Sequence, residues 1–187
     1  MAPKTKISKQ DIISASIELV RKGGEDALNT RAIASHLGCS TQPVFSNFSS
    51  MEELKMEVVK AADGLCNEYT AAEIARDEFP IYKARGMAYI RFAKEEKQLF
   101  KLLYMRDRAD ENIEEQNDSA AKDAISNVVD LTGLDNNSAS LFHLEMWAFV
   151  HGIASMIATG FLDLDRELIS KMLTDAYQGL KHRFEKE

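Results

Sequence analysis

Residues 29–48 constrain what this chain can fold into more than any other stretch. Two short apolar patterns at helical spacing flank a glycine. Ile33, Ala34 and Leu37 make the stripe of the first helix, and Val44, Phe45 and Phe48 give the second an inner face. Asn29 is placed to cap the first helix by accepting a bond from a free first-turn N–H. Gly38 ends that helix where a positive φ is usually needed. Ser40 caps the second helix, which begins near Thr41. Pro43 falls in its first turn, where the missing N–H costs little. The spacing predicts a helix-turn-helix, the unit that lays its second helix in the DNA major groove.

The rest of the chain reads as helix. Gly and Pro are scarce, at 9 and 3 of 187 residues, and a 45% hydrophobic content is enough to bury a core. Apolar residues from Ile12 to Val20 recur at helical spacing, so a first helix runs from about Ser8 to Lys22 and stops at Gly23-Gly24. A long helix starts near Ser50-Met51 and reaches about Glu73. Phe79-Pro80 then opens a second region. Ile81 to Tyr104 reads as two helices with a bend, or one kinked helix, around Lys94–Lys97. Residues 107–119 hold almost no core material and are expected to form an exposed loop or a loosely held helix. Ala120 to Leu131 is a helix ended by Gly133. Asn137 or Ser138 caps an apolar helix through Thr159-Gly160, and Asp165 caps the last, through about Phe184. The expected fold is all-α, with three helices at the N-terminal end and about six after it.

Charge divides unevenly along the chain. Residues 1–48 carry six Lys/Arg against four Asp/Glu, whereas the remainder carries 17 against 26. The basic excess sits with the helix-turn-helix, and the acidic remainder should repel DNA and orient its approach. No apolar run of 18 residues predicts a membrane span, and the start lacks an apolar leader core, so a cytoplasmic protein is expected. Cys39 and Cys66 sit in helical patterns and read as reduced packing residues, with a redox pair between them as the alternative.

The stretch resembles the DNA-binding domain of TetR-type transcriptional repressors. Thr30, Arg31, Ile33, Ala34, Leu37, Gly38, Ser40, Phe48 and Leu54 match that family's pattern. Cys39, Phe45, Asn47 and Met51 depart from its usual Val, Tyr, His and Lys. The last three positions are phosphate contacts in the family, so the departures bear on binding strength. The resemblance is specific over about residues 8–60. Farther on, Trp147, His151 and Gly152 resemble the Trp-x-x-x-His-Gly signature of one C-terminal subgroup. The resemblance implies a helix-turn-helix domain at 1–50 and a ligand-binding and dimerisation domain at 51–187. It also implies a homodimeric repressor on a palindromic double-stranded operator, released by a small apolar effector.

Candidate DNA contacts follow from chemistry and position. Thr41, Gln42, Ser46 and Asn47 belong to the outward face of the second helix, where amides and hydroxyls can meet base edges or phosphates. Asn29, Thr30, Arg31 and Ser40 lie near helix starts with free N–H groups. Pro43 and Phe45 complete the face, and Phe45 is expected to keep the family's inward packing while lacking the phenol. Lys4, Lys6 and Lys9 form a short basic arm. Met51 cannot supply the phosphate contact of a lysine; the alternative is that it packs against the helix start while Lys55 meets the phosphate.

In the second region Phe92, Phe100, Tyr104, Trp147 and His151 are the candidate ligand contacts, since aromatics and methionines line apolar pockets. His143 and His151 are about 12 Å apart along one helix, too far to share a metal ion. No phosphate loop, Gly-x-Ser-x-Gly or Cys/His spacing points to catalysis, and no cofactor is implied. The alternative reading is a helical adaptor or enzyme whose helix-turn-helix is only structural.

Overall fold

The computed structural model describes residues 7–106 and 113–186. Among them run nine α-helices: α1 (Lys9–Gly23), α2 (Thr30–His36), α3 (Gln42–Asn47), α4 (Met51–Ile74), α5 (Ile81–Glu95), α6 (Lys97–Tyr104), α7 (Ile113–Thr132), α8 (Asn136–Ala158) and α9 (Arg166–Phe184). The fold is all-α, three helices followed by six. The chain forms two compact units. The first holds residues up to Asn67 with Glu96–Arg106, the second Glu68–Glu95 with Asp107–Glu187.

Local chemistry sets the helix ends of the first unit. Ser8 accepts from the Asp11 N–H while the Asp11 carboxylate accepts from the Ser8 N–H, a capping box that starts α1. Gly24 ends α1 at φ +73°, and a Cβ there would lie 3.1 Å from the Gln98 side chain of α6. The core is built from Ile12, Ile13 and Val20 of α1, Ile33 of α2, Val44 of α3, Leu54 and Val58 of α4, and Leu99 and Phe100 of α6.

In the second unit α8 packs against α5, α7 and α9. Phe142 lies at its centre, ringed by Val128, Ala139, Met146 and Phe184, with Tyr177 edge-on at 5.3 Å. Among the described helices α8 is long and apolar enough to span a bilayer, a property absent from the run-length reading because polar residues punctuate it. Its apolar content is that of a core helix: one side is buried against three neighbours.

Several sequence expectations change. The cap of α8 is Asp135, which accepts from the N–H groups of Asn137 and Ser138; in a run of four polar residues the earliest took the role. The helix expected from Ala120 begins at Ile113, so of the segment expected as an exposed loop or a loosely held helix residues 113–119 are helical, and residues 107–112 lie outside the described residues. The bend between α5 and α6 falls at Glu96, which Arg21 of α1 grips with two hydrogen bonds of 2.8 Å.

Candidate nucleic-acid interface

The turn between α2 and α3 is closed by backbone bonds. The Cys39 N–H donates to Ala34 O (2.9 Å) and the Gly38 N–H to Ser35 O (3.2 Å), with Gly38 at φ +63°. This is the double bond of a Schellman ending, which requires the left-handed conformation that glycine takes at no steric cost. Asn29 caps α2 as expected, its Oδ1 accepting from the Ala32 N–H at 2.9 Å. Ser40 does not cap α3. Thr41 occupies the cap in helical conformation with no side-chain bond, and Pro43 stands in the first turn.

Phe45 overturns a second expectation. It is 64% exposed, while Val44 and Phe48 are buried. A helix of six residues has less than two turns, so residues four apart fill the inner stripe and Phe45, about 100° around from Val44, faces out. The α3 surface therefore carries Gln42, Phe45 and Ser46, all exposed. The Ser46 hydroxyl donates to Gln42 O (2.9 Å), and the Asn47 amide donates to Pro43 O (2.8 Å). Both bonds are to the helix's own carbonyls and can be exchanged for a ligand by side-chain rotation.

Around α3, Arg31 in the first turn of α2 and Ser40 in the turn before α3 are exposed. The Thr30 hydroxyl donates to Met51 Sδ at 3.1 Å, so half-buried Met51 packs against the start of α2. Ser50 Oγ accepts from the Glu53 N–H, and the Glu53 carboxylate accepts from the Ser49 N–H, which fixes the start of α4. Lys55 pairs with Glu25. Lys9 lies 3.5 Å from Glu53 and above the Phe48 ring, and so belongs to the folded body; Lys4 and Lys6 lie outside the described residues.

This arrangement can be set beside known proteins. Residues 12–58 match the family described as bacterial regulatory proteins, tetR family, and residues 82–177 match the tetracyclin repressor-like C-terminal domain. The chain belongs to the TetR family. An uncharacterised helix-turn-helix transcriptional regulator of Mycobacterium tuberculosis is 24% identical over 169 residues, 87% of this chain and 76% of that one. In fold, this TetR protein is similar to a protein of unknown function from Rhodococcus sp. RHA1 (TM-score 0.74, 23% identity, 97% of this chain and 100% of that one). It is also similar to a TetR-like regulator from the same organism (0.70, 15%, 92% and 94%). A third fold relative is the multidrug binding protein EbrR, complexed with imidazole (0.57, 19%, 90% and 93%). The chain is a DNA-binding transcriptional regulator of TetR type, a family of regulators and not of enzymes.

The five candidate ligand residues divide between the units. Phe100 and Tyr104 are ring neighbours at 5.1 Å in the first unit, with the Tyr104 hydroxyl 3.6 Å from Cys66 Sγ. Burial pushes the Cys66 thiol up to about 11, and neither cysteine forms a disulfide. In the second unit Phe92 is fully buried, edge-on to Tyr69. Trp147 is 47% exposed and stacks on His151 at 5.1 Å. His151 Nδ1 lies 2.9 Å from the Tyr89 hydroxyl. This tyrosine stood outside the five candidates, as did Tyr82, whose hydroxyl lies 3.0 Å from His143 Nδ1. Burial holds both imidazoles below their ordinary range, with the Arg85 charge adding to the effect at His143.

A third missed residue is Glu73. It is 1% exposed, and its carboxylate meets Arg91 (3.0 Å), Arg166 (2.5 Å) and Arg76 (3.8 Å). Arg166 also bonds Glu78. Burying a carboxylate is costly unless such partners meet it.

Proposed function

We propose that this TetR regulator is a one-component repressor that binds a near-palindromic operator as a homodimer and leaves it when a small molecule binds the second unit. The observation that carries the DNA half is the outward face of α3. Gln42 is exposed and its side-chain amide makes no hydrogen bond among the described residues, so that amide can bond an adenine edge bidentately. Ser46, Thr41 and Asn47 supply further polar contacts. Asn29, Thr30, Arg31, Ser40 and Lys55 would hold phosphates, with Phe45 and Pro43 as apolar contacts. Half-buried Met51 favours Lys55 as the phosphate ligand, which would trade Glu25 for DNA.

The dimer half rests on exposed apolar residues. Leu141, Leu144 and Trp147 on α8, and Leu168 on α9, face outward, which a lone subunit has no reason to keep. Ile153, Ile157 and Leu173 of the same two helices fill the subunit core. Two copies joined through α8 and α9 would present two α3 helices to successive major grooves. Release would be a shift of population, by no more than the effector's differential affinity for the two forms. A fold relative, EbrR, binds multiple drugs, which supports an effector in the second unit.

The test is a gel shift on the DNA upstream of the chain's own gene, with sedimentation at micromolar concentration. A retarded band and a dimer are expected; no shift, or a monomer, would refute the respective half. Native mass spectrometry of the fresh protein looks for a bound effector.

A further inference from the structure

Tyr82, Arg85 and Tyr89 lie three and four residues apart on α5, hence on one helix face. The two tyrosines bond His143 and His151 of α8. Arg85 between them is half-buried, and its Nε is closed off from solvent with no hydrogen-bond partner. Arg21, Arg91, Arg166 and Arg183 each face a carboxylate. Arg85 faces none among the described residues, and its charge is felt by His143. A half-buried cation with an orphaned donor is costly to the free protein, and such a cost is retained where a ligand repays it.

We propose that Arg85, with Tyr82 and His143, receives the carboxylate of an amphipathic small molecule whose apolar part lies against the second unit's core. A guanidinium presents Nε and one Nη side by side, the spacing of two carboxylate oxygens, so one planar anion satisfies the orphaned donor. The neutral phenol and imidazole are hydrogen-bonding groups that add no repelling charge. Tyr82 packs on the cluster of Phe142 and Met146, which supplies the apolar wall. The effector is then an apolar acid, where sequence alone pointed to an apolar or aromatic compound. The inference rests on reading the second unit as the effector-binding part.

The test is calorimetric titration of the full chain with 3-phenylpropionate and octanoate, and with their uncharged amides. The wild type should bind at least one acid, and the matching amide about ten-fold or more weakly. Arg85→Met should lose about ten-fold or more of the acid affinity, and Arg85→Lys, with the charge but not the fork, should keep part of it. Without ligand, Arg85→Met should melt no lower than the wild type, because it removes an unpaired charge. Equal binding of acid and amide, binding unchanged in Arg85→Met, binding of neither acid, or a lower melting temperature for free Arg85→Met would each overturn the proposal. The titration contains no DNA. Its failure beside an intact gel shift removes this inference alone, whereas a wild type without a gel shift removes the repressor reading and leaves the titration valid.

Discussion

The two compact units handle polar groups in opposite ways. On α3 the polar side chains bond nothing, as that of Gln42 does, or only their own helix, as those of Ser46 and Asn47 do. In the second unit polar groups are drawn inside and matched. Glu73 has three arginines, and Tyr82 and Tyr89 each have a histidine. The lesson is a division of consequences. Changes on the first face should alter what is bound and leave folding alone, whereas changes in the second set should alter folding first. Arg85 is the exception that makes the second unit more than a scaffold.

The largest expected effect is at Glu73. Glu73→Ala strips the carboxylate from Arg91 and Arg166, and breaking a buried pair by removing one partner costs about 3–5 kcal/mol. Both arginines keep some access to water, so the lower end is expected. The midpoint of urea unfolding reads it, and a loss under about 1 kcal/mol would mean the network is solvated in solution. A smaller effect is expected at Gly38. No atom stands within 4 Å of a Cβ placed there, so Gly38→Ala should cost only the left-handed backbone, about 1–2 kcal/mol. A much larger loss of thermal stability would show that the turn carries packing as well.

Acid should act on the second unit. His143 and His151 are held neutral in the fold, below their ordinary range. The unfolded chain therefore takes up protons first as pH falls. The stability these groups contribute is complete above about pH 6.5, the unfolded value, and is lost as pH falls from there through the lower folded values. Unfolding midpoints at pH 8 and pH 5 should differ accordingly, and the double variant His143→Gln/His151→Gln should narrow the gap. A gap unchanged in that variant would assign the acid sensitivity to other groups.

How much was legible in the sequence follows the same division. Asn29, Gly38 and Pro43 act through bonds within a few residues of themselves, so cap, turn and first turn could be read from spacing. Phe45 could not, because a six-residue helix leaves room for one inner stripe and sequence does not say which aromatic takes it. Asp135 was hidden among equivalent capping residues. Glu73 reads as an ordinary solvated carboxylate, since its partners Arg91 and Arg166 are 18 and 93 residues away. The Tyr–His pairs span 61 and 62 residues, and only the crossing of α5 and α8 creates them. Local rules wrote the α2–α3 face; nonlocal packing wrote the second unit's polar contacts.

The central claim is that the α3 face reads sequence without supporting the fold. Selection from a randomised double-stranded library, run in parallel with wild type, Gln42→Ala and Ser46→Ala, tests it most directly. The wild type should show a near-palindromic preference. In Gln42→Ala one position of each half-site should relax by about 1–3 kcal/mol, with melting temperatures unchanged. An identical preference in both variants, or no enrichment by the wild type, would contradict it.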